Sequence, residues 1–206
     1  MSELVVYREY EERDYPYIID IIIRAWGYED FATPKTANLL AAQELVACLG
    51  ESTYTQVALV SGKPVGFIIG SAHKFADAHK SENEVKEIWS KIKKRPDGLL
   101  ISMFNQKLRA INEILYNETG KEYDVELSFF ALDEDKQGLG IGGKLFDGFE
   151  KYIENENLHD FYVYTDSYCN IGFYEHKNMK LKGHKQVAMP VVKDKKVDFY
   201  IYEKHI

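Results

Sequence analysis

The stretch Gln137-Gly138-Leu139-Gly140-Ile141-Gly142-Gly143 decides how this chain is read. It follows an apolar run at 125–132 and leads into Ile141, Leu145, Phe149 and Tyr152, which recur at helical spacing. The order is therefore strand, glycine loop, helix. Glycines at such a junction let the backbone approach a ligand closely, and the free N–H groups and positive helix end point at any anion there. Four glycines within six residues exceed what a plain turn requires, so the loop reads as a pyrophosphate cradle. Lys136 and Lys144 flank it and offset locally a chain whose net charge is −7.

Outward from the loop, the chain reads as one domain of mixed α/β type over residues 1–206. A short strand at 5–9 precedes a helix in which Asp14 stands as N-cap and Tyr15, Ile18, Ile19, Ile22 and Trp26 form a stripe. A second helix is expected at 35–49. Strands at 55–60 and 65–72 flank the turn Ser61-Gly62-Lys63-Pro64. From about 73 to 123 the pattern is helical, opened by a Ser81/Glu84 capping box and broken at Pro96-Asp97-Gly98. This segment lacks a core of its own and reads as an insertion between the third and fourth strands. Past the glycine helix come a buried strand at 161–165, a short helix at 169–177 and two antiparallel strands, 180–192 and 196–202, joined at Lys193-Asp194-Lys195.

Gly138-x-Gly140-x-x-Gly143 also satisfies the dinucleotide-binding pattern, with Asp166 at the distance of a ribose-binding acid. Three features weigh against an oxidoreductase of that kind. Five polar residues, 133–137, separate the strand from the first glycine, where a dinucleotide turn follows almost directly. The motif sits in the last third of the chain, which leaves too few βα units for a doubly wound sheet. Antiparallel strands, not further βα units, follow Asp166.

Strand, Gln137-x-x-Gly140-x-Gly142 and helix together resemble the acetyl-CoA signature of the GNAT superfamily of N-acetyltransferases. Asn170-Ile171-Gly172-Phe173-Tyr174-Glu175, after the strand at 161–165, is similar to the second signature of that family. The order of elements agrees over almost the whole chain. Two departures stand out: Glu134 where many members have proline, and Asn178-Met179 where Gly-Phe often ends the short helix. The resemblance implies a mostly antiparallel sheet flanked by helices, whose fourth and fifth strands splay to admit acetyl-CoA. It implies that backbone near Leu132 pairs with the pantetheine arm. Gln137, Gly138, Gly140, Gly142, Gly143 and Lys144 would hold the pyrophosphate. Asn170 would hydrogen-bond the pantetheine, Phe173 would pack along it, and Tyr174 would face the sulfur.

Acetyl transfer to an amine requires the ammonium to lose a proton and the departing thiolate to gain one. Glu126 is the candidate base: it is the lone charge in an apolar strand, on a face that alternation shares with Ser128, Phe130 and Leu132. Some family members carry a glutamate there in that role. Tyr174 is the candidate acid. The aromatic loop of Trp26, Tyr28 and Phe31, with Glu29 and Asp30, reads equally as acceptor pocket and as core.

Composition bounds the partners. Hydrophobic residues make up 45% and charged residues 29%, an ordinary globular balance. The acidic net charge argues against nucleic acid and mildly for a cationic amine, small molecule or peptide. No apolar run is long enough to span a bilayer, and the start lacks a signal-peptide pattern, so a cytoplasmic protein is expected. Cys48 and Cys169 suit a reducing compartment, and the six histidines form no metal cluster. The expected activity is acetyl transfer from acetyl-CoA to a primary amine by direct attack, without a metal. A non-catalytic acyl-CoA sensor is the alternative, and the insertion is expected to shape the acceptor site or a homodimer interface.

Overall fold

The computed structural model describes residues 4–77, 79–189 and 196–206. Seven strands form one sheet: β1 Val5–Arg8, β2 Tyr54–Val60, β3 Lys63–Ala72, β4 Val125–Leu132, β5 Asp160–Asp166, β6 Lys180–Ala188 and β7 Lys196–His205. Their spatial order is β1-β2-β3-β4-β5-β7-β6. β4 and β5 run parallel, and the other neighbours are antiparallel. The expected mixed, mostly antiparallel sheet is what forms. The joint expected at 193–195 lies outside the described residues.

Helices cover both faces. α1 Tyr15–Ala25 and α2 Pro34–Glu51 lie on one face, where Ile18, Ile22 and Leu45 pack with Phe67, Ile69 and Phe129. α5 Ile141–Asn155 lies on the other, its Leu145, Phe146 and Phe149 against Val125, Leu127 and Phe161. α6 Ile171–His176 joins that second face through Phe173 and Tyr174. The helical segment between β3 and β4 contributes α3 Glu82–Lys93 and α4 Gly98–Glu118. Ile88, Ile92 and Ile101 bury into the α1–α2 cluster, and Ile111 and Leu115 pack on Phe199 and Ile201 of β7. The segment thus extends the first face of the same core.

Two helix starts differ from the sequence expectation. Asp14 does not cap α1 with its side chain; its buried carboxylate accepts the Glu11 N–H at 2.9 Å and grips the Arg8 guanidinium at 2.6 and 2.7 Å. An ion pair to β1 outcompetes the cap because it uses both oxygens. The Ser81 hydroxyl forms no cap either. It is wedged against Gly50 of α2, where a Cβ would meet Ser81 Oγ at 2.1 Å, so close helix packing takes the side chain.

One strand irregularity moves a functional side chain. β3 pairs Ile69 with Phe129 but Gly70 with Leu127, so Ser128 is an extra residue in β4. The bulge reverses the alternation. Val125 and Leu127 face α5, as do Phe130 and Leu132, while Phe129 and Ala131 face α1 and α2. Glu126 therefore stands on the face opposite to Phe130 and Leu132, contrary to uniform alternation.

Candidate active site

β4 and β5 are joined at two rungs, Val125 with Phe161 and Glu126 with Tyr162, and then part. A cavity of about 630 Å³ fills the opening, walled by residues 127–132 of β4 and 163–165 of β5. The Asp133 N–H donates to Val65 of β3 at 2.7 Å. By alternation along the strand, Leu132 turns its own N–H and C=O the other way, into the gap. The opening is thus walled by a strand edge that carries unspent backbone hydrogen-bonding groups.

The glycine loop closes one end of this cavity. Gly138 and Gly140 hold φ of +74° and +77°, the left-handed region that side chains resist. α5 begins at Ile141, and the Lys144 N–H donates to Gly140 C=O at 3.2 Å. The preceding N–H groups of the first turn have no helical acceptor and cluster at the cavity. Gln137, Gly138, Gly140, Gly142 and Gly143 all line it.

The two lysines divide differently from the sequence reading. Lys144 is exposed and its ammonium lies over the Tyr7 ring at 5.9 Å. Lys177, just past α6, reaches Gly143 C=O at 3.4 Å, pairs with Asp147 and lines the cavity. Nothing local in the sequence marks Lys177. It reaches the loop because α6 folds back beside α5.

Along the second wall, Asn170 precedes α6 and accepts the Phe173 N–H on its carbonyl at 3.1 Å, leaving its side chain uncommitted to a cap. The Phe173 ring lies 5.2 Å from that of Phe130 and 5.5 Å from that of Phe146, which fixes it beside the gap. Tyr174 is 7% exposed, stacks on Tyr202 at 5.9 Å and lines the cavity. Burial first, then the nearby Cys169 and Asp166, pushes its phenol well above the ordinary range. Tyr174 is therefore a protonated group at any neutral pH.

The opposite face of the gap is acidic and aromatic. The Tyr162 hydroxyl donates to Glu126 Oε2 at 3.0 Å. Burial raises the Glu126 carboxyl, Tyr162 pulls it back, and Glu51 adds to the rise. From α2, Glu44 is lifted by burial to about 7, with the Tyr28 hydroxyl acting in the other direction. Burial also raises Asp166, at the end of β5. Glu44 escaped the sequence reading, because a glutamate within a helix ordinarily signals solvent.

The aromatic loop divides between the cavity wall and the core. Trp26 lines the cavity and packs on Phe129 at 4.7 Å. Tyr28 is 2% exposed, and Phe31 meets Phe104 of α4 at 5.4 Å. At the mouth, Arg24 pairs with Asp133 at 3.0 Å, bridging α1 and the end of β4. The site brings Gln137, the glycines, Leu132, Asn170, Phe173 and Tyr174 around one cavity. Glu126 stands at its joined end, on the face away from α5.

No family model matches this sequence. No curated protein matches it either. Solved structures do match over their full length. The protein named SsHAT superposes with a TM-score of 0.64 at 14% identity, covering 98% of each chain. The ribosomal-protein-S18-alanine N-acetyltransferase from Escherichia coli gives 0.57 at 16% identity, covering 98% of this chain and 94% of its own. An acetyltransferase of GNAT family from Streptococcus pneumoniae gives 0.56 at 12% identity, covering 98% and 100%. The fold is the one these structures share, two of them acetyltransferases by name, as the two sequence signatures imply.

Proposed function

We propose that this chain transfers an acetyl group from acetyl-CoA to a primary amine by direct attack in a ternary complex. The observation that carries the reading is the parting of β4 and β5 after two rungs around a cavity lined by the glycine loop, with half-buried Glu126 at its joined end. The residues present fit acetyl-CoA: unspent backbone groups for the pantetheine arm, and free N–H groups with Lys177 for the pyrophosphate. When bound, it supplies an activated acetyl thioester with a thiolate leaving group.

The protein's own contributions follow from the geometry. Leu132 would hold the arm through its outward N–H and C=O, as an added strand is held. Glu126, whose pKa burial raises and the Tyr162 hydrogen bond lowers, would take a proton from the incoming ammonium. Tyr174, kept protonated by burial, would give its proton to the departing sulfur. These two groups face opposite sides of the sheet, so proton uptake and delivery flank the gap. The acidic face accords with a cationic acceptor, small molecule or peptide.

Thermal shift tests the reading. Acetyl-CoA at about 100 times its dissociation constant should add roughly 2.7 kcal/mol, and an amine panel should then release free thiol. Stabilisation by NAD alone would overturn the proposal. Binding of acetyl-CoA without turnover on any amine would reduce the protein to a sensor.

A further inference from the structure

Thr165 lies on β5, opposite Tyr200 of β7, on the face that carries α5 and α6. It is 8% exposed and lines the cavity where the strands part. Its Oγ1 is sealed from solvent and makes no hydrogen bond of good geometry. An unpaired buried hydroxyl destabilises a fold, whereas valine would fill the same volume without that cost. A residue that lowers stability and sits in a site needs a reason to be there.

Two groups adjoin this hydroxyl. The Tyr174 phenol and the Cys169 thiol both lie close enough that Thr165 would favour a negative charge on either oxygen or sulfur. Burial pushes the Cys169 thiol up to about 11, and Asp166 beside it adds to that, so this thiol stays protonated. The Tyr174 phenol likewise forms no hydrogen bond of good geometry among the described residues, with the Thr165 hydroxyl beside it and the cavity before it. On the activity proposed above, its O–H bond breaks as the sulfur takes the proton, and the electron pair stays on the phenolic oxygen. A phenolate held between Tyr202 and Phe173 would then find the Thr165 hydroxyl beside it as a donor.

We infer that Thr165 is a positioning residue for Tyr174: its hydroxyl, idle in the resting protein, donates to the phenolate formed when Tyr174 protonates the leaving sulfur. The phenolate is afterwards reprotonated from water. The inference rests on the proposed acetyl transfer and adds a residue that neither sequence signature contains.

The test is a double-mutant cycle on the full chain, reading kcat, KM for acetyl-CoA and melting temperature. Thr165→Val should lower kcat about tenfold or more, leave KM for acetyl-CoA within about twofold, and leave the melting temperature unchanged or raised. Thr165→Ser should restore most of kcat. On a Tyr174→Phe background, Thr165→Val should have no further effect, because the group it serves is gone. Wild-type kcat in Thr165→Val, or additive losses in the double variant, would overturn the inference alone. A wild-type protein that binds acetyl-CoA but acetylates no amine would overturn the proposed activity and this inference with it.

Discussion

Tyr162 donates its phenolic hydrogen to Glu126 across the last rung that joins β4 to β5. The pair sits where the sheet stops being continuous, so the base candidate is fixed by the strand it belongs to and by the strand it is about to leave. If Glu126 accepts the ammonium proton, Glu126→Gln should lower kcat by about 10²-fold near neutral pH. Acetyl-CoA affinity, read by calorimetry, should stay within a few fold, since Glu126 lies outside the cofactor wall. A normal kcat in this variant removes Glu126 from the chemistry.

Removing only the donor gives a pH signature. Tyr162 stabilises the charged form of Glu126 and so lowers its pKa. Tyr162→Phe should raise that pKa and move the acid limb of kcat/KM to higher pH. A limb that stays in place, or shifts downward, separates Glu126 from the observed titration.

Tyr174→Phe removes the proton donor and keeps the ring that stacks on Tyr202. Turnover should fall by about 10²-fold or more while acetyl-CoA affinity is nearly kept. Single-turnover kinetics give the check: a loss confined to KM would make Tyr174 a binding residue.

The loop glycines can be separated from ordinary backbone strain. Gly140→Ala places a side chain at φ +77°, at a cost of roughly 1–2 kcal/mol, and blunts the N–H cradle. Gly120→Ala meets a similar penalty at φ +62°, away from the cavity. Both variants should melt lower, but Gly140→Ala alone should weaken acetyl-CoA binding. Equal affinities in the two would detach the loop from the cofactor.

Glu44 predicts an unusual pH dependence of stability. Its carboxyl is lifted to about 7 in the fold and lies near 4.5 when unfolded. The folded state then holds more protons between those values, so its contribution is complete below about 4.5 and is lost as pH rises through 7. The effect amounts to about 3 kcal/mol at most. Glu44→Gln should flatten the stability profile between about pH 4.5 and 7, measured by urea unfolding. An unchanged slope would place the titration elsewhere.

What the sequence revealed and what it hid divide along physical lines. The glycine loop was legible because its conformation, left-handed backbone at Gly138 and Gly140, is a local property of glycine. The apolar stripes of α1 and α5 were legible for the same reason, since periodicity states which side meets the core. Glu126 stood out as a charge in an apolar strand, but its face did not, because the bulge at Ser128 is set by pairing with Ile69 and Gly70. Lys177, Glu44 and Thr165 were invisible for a common reason. Each acquires its surroundings from another element that only the fold brings beside it: α5 for Lys177, the Tyr28 loop for Glu44, α6 for Thr165. Ser81 and Asp14 mislead in the opposite way, as good cap residues claimed by tertiary partners.

Sheets usually leave their open hydrogen-bonding edges at the border, where charge or twist discourages other chains from adding on. Here the parting of β4 and β5 puts two such edges in the middle of the sheet, facing each other across the cavity. The sheet is therefore left open within its own architecture. A small molecule in that place would act as a removable piece of the framework, and its departure would loosen the two halves of the sheet together. Hydrogen exchange along 127–132 and 163–166 should accordingly slow as a unit when the space is filled, well beyond the residues the molecule touches.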